Sequence, residues 1–180
     1  MRFEIAATAV ASALAPAGAF AVDYLSAEQA QKLMFPAADR FETRELALSA
    51  EQLRQLEAGG TRARSARWSV RIALQGSDTL GYVVVDDVVG KFELISYAVG
   101  IAKDGRVQQV EVLSYRESHG HEIRLPAWRR QFVGKTVAAP IRIGEDINNI
   151  SGATLSCSHV TEGVRRIVAV VDLAARQGQL

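Results

Sequence analysis

Four small residues, Ser151-Gly152-Ala153-Thr154, stand immediately before a run in which Val160, Val164, Ile167, Val168 and Val171 recur at spacings of four, three, one and three. Those spacings trace one face of a 3.6-residue period, so a long amphipathic helix is expected with Thr154 in or just before its first turn. The first amides of a helix lack intrahelical partners, and the aligned peptide dipoles leave partial positive charge there. A hydroxyl at that point, after a glycine-containing turn, is placed where a phosphate or phosphoester would be stabilised. The same four residues also read as a plain helix start with Ser151 or Thr154 as its cap.

A second polar cluster, Glu117-Ser118-His119-Gly120-His121-Glu122-Ile123, follows an apolar run that ends at Tyr115. Two histidines two apart in a glycine-containing loop share no fixed direction, the chain has no Cys-x-x-Cys-His sequence, and His159 falls inside the C-terminal helix, so no metal or haem is expected. By itself the cluster reads as a polar connection leading out of a strand. Cys157, three residues before Val160, joins the apolar stripe and reads as a buried small hydrophobe. Ser156 and Ser158 have no base placed beside them by sequence, and Arg165 and Arg166 read as a solvated helix face. Trp128 reads as an anchor for a short helix.

The elements that must carry these residues are partly legible. Ser26-Ala27-Glu28-Gln29 and Ser49-Ala50-Glu51-Gln52 each have the capping-box arrangement, predicting one helix to about Leu33 and a second that stops at Gly59-Gly60. Ala37 to Leu48, between them, is charged and receives no assignment. Strands are expected over Trp68–Leu74, Tyr82–Val85, Phe92–Ala102 and Val107–Tyr115, with a hairpin at Lys103-Asp104-Gly105. Leu125 to Phe132 reads as a short helix with proline in its first turn, and Ile141 to Ile143 as a brief strand. The expected fold class is α+β: an antiparallel strand meander packed against a long C-terminal helix, with short N-terminal helices.

With 180 residues, the chain suits one domain with a sizeable core, and 21 Lys+Arg against 20 Asp+Glu leave no field that would gather nucleic acid. Met1 to Ala21 read as a signal peptide: Arg2, an apolar run from Ile5 to about Leu14, a Pro16/Gly18 break and an Ala19-Phe20-Ala21 cleavage site ahead of Val22. This implies a periplasmic or otherwise extracytoplasmic protein, with a membrane anchor as the alternative if the leader is retained. The lone cysteine leaves the fold without an internal disulfide. The division expected is a leader over 1–21, a helical segment over 22–65 and one main domain over 66–180.

Ser151-Gly152-Ala153-Thr154-Leu155 resembles the attachment motif of the FMN-binding domain family, in which the threonine is esterified to the phosphate of FMN. The similarity extends to Glu117 through Ile123, Trp128 and Phe132-Val133-Gly134-Lys135, and the order of elements from about Leu80 to Val171 also fits. The resemblance implies an FMN on Thr154, held by Ser151, Gly152, Ala153 and Leu155, with Glu117, Ser118, His119 and Gly120 toward the ring. It further implies a flavin transferase for maturation and membrane or periplasmic redox proteins as partners. Members usually carry an aspartate three residues before the position of Ser151; Asn148 stands there, with Asp146 two residues further back. No nicotinamide fingerprint accompanies the motif, so the expectation is an electron carrier rather than a complete enzyme. Two alternatives stay open: a non-flavinylated periplasmic ligand-binding or assembly domain, which Asn148 favours, and a reductase with non-covalent FMN.

Overall fold

The computed structural model describes residues 22–180. The expected signal peptide, residues 1–21, lies outside the described residues. Six antiparallel strands form one sheet in the order β1-β6-β5-β4-β3-β2. They are β1 (Val22–Asp23), β2 (Arg40–Ala47), β3 (Arg67–Gln75), β4 (Asp78–Val89), β5 (Leu94–Ala102) and β6 (Val107–Tyr115). The α+β expectation holds, and the four central strands are the meander read from the sequence.

Two elements and one strand boundary differ from that reading. The unassigned charged segment is strand β2, paired with β3 along its whole length and mostly exposed. As an edge strand it needs only one partner, and its Arg and Glu side chains keep the outer edge solvated. Phe92 lies in the turn before β5, which begins at Leu94. Ile141–Ile143 forms no strand; Ile143 makes a single bridge with Ile147.

Both capping boxes form as the serine-glutamine spacing requires, at Ser26 for α1 (Ala27–Met34) and at Ser49 for α2 (Ala50–Ala58). Gly60, at φ +77°, takes the left-handed turn after α2. At the Asp104-Gly105 hairpin only the glycine has positive φ. Pro126 opens the short helix α3 (Pro126–Arg129), which continues as a 3-10 turn through Phe132.

The two sheet faces are covered unequally because the strand sequences alternate in side-chain size. Val70, Ile72, Val84, Tyr97, Val99, Val110 and Val112 face a large core completed by the apolar stripe of α4 (Thr154–Arg176). The opposite face presents Ala73, Val83, Ala98 and Leu113 to Ala30, Met34 and Phe35 at the end of α1. Small residues there let α1 approach closely; a Cβ on Gly100 would lie 2.9 Å from the Met34 sulfur.

Cys157 is fully buried, as its place on the stripe requires. Arg166, read from sequence as solvated, is instead buried: its Nε donates to the Arg62 carbonyl, and its guanidinium lies 3.5 Å from Asp86. A partner on β4 explains why an arginine can sit inside the helix-sheet interface, since a buried charge is tolerated only when paired.

Candidate functional site

Helix α4 begins at Thr154 with Ala153 as its N-cap residue and no side-chain cap. Neither Ser151 nor Thr154 therefore serves as the cap. The first amide engaged is that of Cys157, which donates to the Ala153 carbonyl at 2.9 Å. The amides of Thr154, Leu155 and Ser156 remain directed toward whatever lies at the helix start. The Thr154 side chain is exposed, and its Oγ1 accepts from the Asn149 side-chain amide at 3.0 Å. Gly152, at φ +84°, allows the chain to reverse just before the helix.

Facing this helix start is the connection that leaves β6. Tyr115 Oη donates to the His119 carbonyl at 2.5 Å and lies 3.1 Å from Ser156 Oγ. One buried phenol thus ties the 117–120 loop to the first turn of α4. Burial raises the Tyr115 pKa, with the Ser156 contact opposing it, so the hydroxyl stays protonated and able to donate. Gly120 is needed for close approach: a Cβ there would stand 2.6 Å from Tyr115 Oη and 2.7 Å from the Ala153 Cβ.

Between the two segments lies a cleft of about 410 Å³ lined by Glu117, Ser118, His119, Gly152, Ala153, Thr154 and Leu155, together with Lys91, Phe92 and Ser156. Its size falls in the ordinary range for small-molecule and cofactor sites. Of the nine site residues expected from the sequence, Ser151 and Gly120 do not line the cleft: Ser151 belongs to the exposed turn, and Gly120 packs against Tyr115 and Ala153 behind it.

Glu117 is buried, and its carboxylate accepts from the amides of Phe92 at 2.6 Å and Glu93 at 3.0 Å. It thereby fixes the turn between β4 and β5, which brings Lys91 and Phe92 to the mouth of the cleft. Sequence reasoning missed both, because Phe92 next to an apolar run reads as a strand residue. The signal that could have found them is Gly90-Lys91 just ahead of it, a break before the strand proper. Phe92 is 75% exposed, and Lys91 Nζ sits 4.9 Å from its ring centre. Ser118 Oγ meets His119 Nδ1 at 2.9 Å, while His121 packs edge-on against Tyr115 outside the cleft. The two imidazoles thus diverge, and no group of three or more candidate metal ligands occurs among the described residues.

The loop before the helix is bolted to α3. Trp128 Nε1 donates to the Asn148 carbonyl and the Asn148 amide donates to Gln131 Oε1, both at 2.8 Å. Both backbone groups of Asn148 are thereby engaged while its side chain is exposed. Asp146 is occupied elsewhere: it pairs with Lys135 at 2.7 Å and accepts from the amides of Ile141 and Arg142. Burial pushes its pKa up, but Lys135 and the two amides outweigh that and hold it below the ordinary aspartate value.

Residues 90–169 match the family model of the FMN-binding domain. The matched stretch opens at the turn that carries Lys91 and Phe92 and closes within α4, so both walls of the cleft belong to it. Among solved structures, the chain is similar to NqrC of Shewanella oneidensis, with a TM-score of 0.53 and 15% identity over 81% of this chain and 86% of that one. At that identity the likeness is one of fold. No curated protein gives a significant match. The residues of the matched stretch would suit an FMN: an uncapped helix start for a phosphate, a hydroxyl beside those amides, and a cleft with an exposed aromatic ring and a lysine at its mouth.

Proposed function

We propose that the chain is an exported flavoprotein that carries one FMN esterified through its phosphate to Thr154 and passes electrons between protein partners. The observation that carries this reading is the placement of the Thr154 hydroxyl, exposed at the uncapped start of a 23-residue helix on the wall of the cleft. Bound there, FMN supplies acceptance of electrons in pairs and their release singly.

The protein's part is to hold and tune. The amides of Thr154, Leu155 and Ser156 receive the phosphate, the helix end favours its charge, and the Asn149 amide orients the threonine oxygen. Ser118 and His119 border the ring, Phe92 offers a face for stacking, and Lys91 adds positive charge at the rim. Maturation calls for a flavin transferase that reads the turn before α4, and the partners are membrane or periplasmic redox proteins. The leader-like residues 1–21 support export.

Intact mass of the protein secreted from a host supplying a flavin transferase tests the reading. A gain of one FMN less water is expected in the parent and not in Thr154→Ala. An unmodified parent, alongside a modified family member in the same host, would refute covalent attachment and favour a domain that binds another ligand in this cleft. Flavin that leaves on denaturation would instead point to a non-covalent reductase.

A further inference from the structure

A second cavity lies apart from the proposed flavin cleft. It encloses about 590 Å³ between α2, the 137–142 segment and the second half of α4. Leu56, Val168, Ala169, Leu173 and Ile141 give it apolar walls. Arg165 reaches it from α4 about 16 Å along the helix from Thr154, at 1.5 Å per residue, so the two sites are separate.

Three arginines border this cavity, and they are not equivalent. Arg142 pairs with Glu145 at 3.3 Å, and Arg176 pairs with Asp172 one turn back on its own helix. Arg165 has no ion pair among the described residues, and its Nε is buried without a hydrogen-bond partner. A buried guanidinium N–H left unpaired is costly and calls for an acceptor. The backbone adds a second mark. Ile141, fully buried on the cavity wall, has φ +45°, the one positive value at a non-glycine among the described residues and a strained conformation for a β-branched side chain. The Asp146 carboxylate holds that turn by accepting from the Ile141 amide at 3.2 Å.

We propose that this cavity is a second ligand site, binding a small amphiphile whose carboxylate is received by Arg165 and whose apolar body lies along Leu56, Val168, Ala169 and Leu173. The planar guanidinium fork matches a carboxylate through two parallel hydrogen bonds, and Arg165 lines the cavity with no carboxylate of the described residues paired to it. The carboxylates of Glu145 and Asp172 are already matched by arginines of their own segments, leaving Arg165 as the uncompensated charge facing the cavity.

Sodium decanoate and its neutral analogue decanol, titrated into the full-length protein by calorimetry, test the proposal, with the site located by amide chemical shifts. Saturable decanoate binding is expected, with shifts at Ile141 and Ala169 and none at Thr154. Arg165→Gln should weaken decanoate about tenfold or more while changing decanol little. Decanoate that fails to saturate below about 1 mM, equal affinity for Arg165→Gln, or shifts confined to other residues would overturn it. Flavin content, measured on the same samples, reports on Thr154 separately, so the two readings stand or fall apart.

Discussion

Burial at Glu117 would by itself lift its carboxyl pKa, yet the amides of Glu93, Phe92 and Lys91 hold it below the ordinary value of 4.5. A group whose folded pKa is depressed contributes stability that is present above its unfolded value and is lost as pH falls through the folded one. The Glu117→Gln variant keeps an acceptor but loses the charge, so it should be about 1 kcal/mol less stable at neutral pH. The gap to the parent should close on acidification below pH 4.5, as the parent carboxylate takes up its proton. Urea unfolding of both proteins at neutral pH and near pH 4 checks this; a gap that stays constant would show that charge is not what holds the turn. The same turn carries Phe92 and Lys91 into the cleft, so the variant should also bind flavin less firmly. Glu117 itself was found by resemblance alone: nothing in its local sequence distinguishes a carboxylate that clamps a distant turn from one in a solvated loop.

Helix α4 meets the sheet at Gly163, where the interface is tightest. A Cβ at Gly163 would lie 1.9 Å from Tyr97 Oη, and that hydroxyl donates to Asp86 at 2.9 Å, the carboxylate beside Arg166. Alanine favours helix over glycine by about 1 kcal/mol, but the clash outweighs it, and Gly163→Ala is expected to lose about 1–3 kcal/mol net. Chemical denaturation measures the sign directly; a stabilised variant would mean that the helix can shift on the sheet. This interface also explains what the sequence could and could not reveal. The serine caps of α1 and α2, the Asp104-Gly105 hairpin and the stripe of α4 are written within a few residues of themselves, so they were readable. Arg166 was misread because helical periodicity places it among polar neighbours, whereas its partner Asp86 is 80 positions away on β4. Strand β2 was not assigned because only one of its edges is paired and its outward residues are those of any solvated segment.

At the scale of the whole molecule, the sheet and α4 set two ends. One holds the start of α4, the 117–120 loop and the turn before β5; the other holds α2, where the Gln52 side chain donates to those of Gln177 and Gln179. Twenty-three residues of helix separate them by about 34 Å. The pairing of β1 with β6 sets Val22 opposite Tyr115, the residue whose hydroxyl ties the loop to the helix. Val22 therefore lies beside the cleft, and Gln177 and Gln179 lie at the far end. A folded domain placed directly before Val22 should slow flavin incorporation several-fold in a transferase assay, while the same domain after Leu180 should leave it unchanged; equal rates would refute this. The two-residue pairing of β1 thus acts as a hitching point: it pins the backbone at Val22 and Asp23 to the strand whose last residue braces the cleft, so a pull on that segment is felt first at the cleft and last at α2.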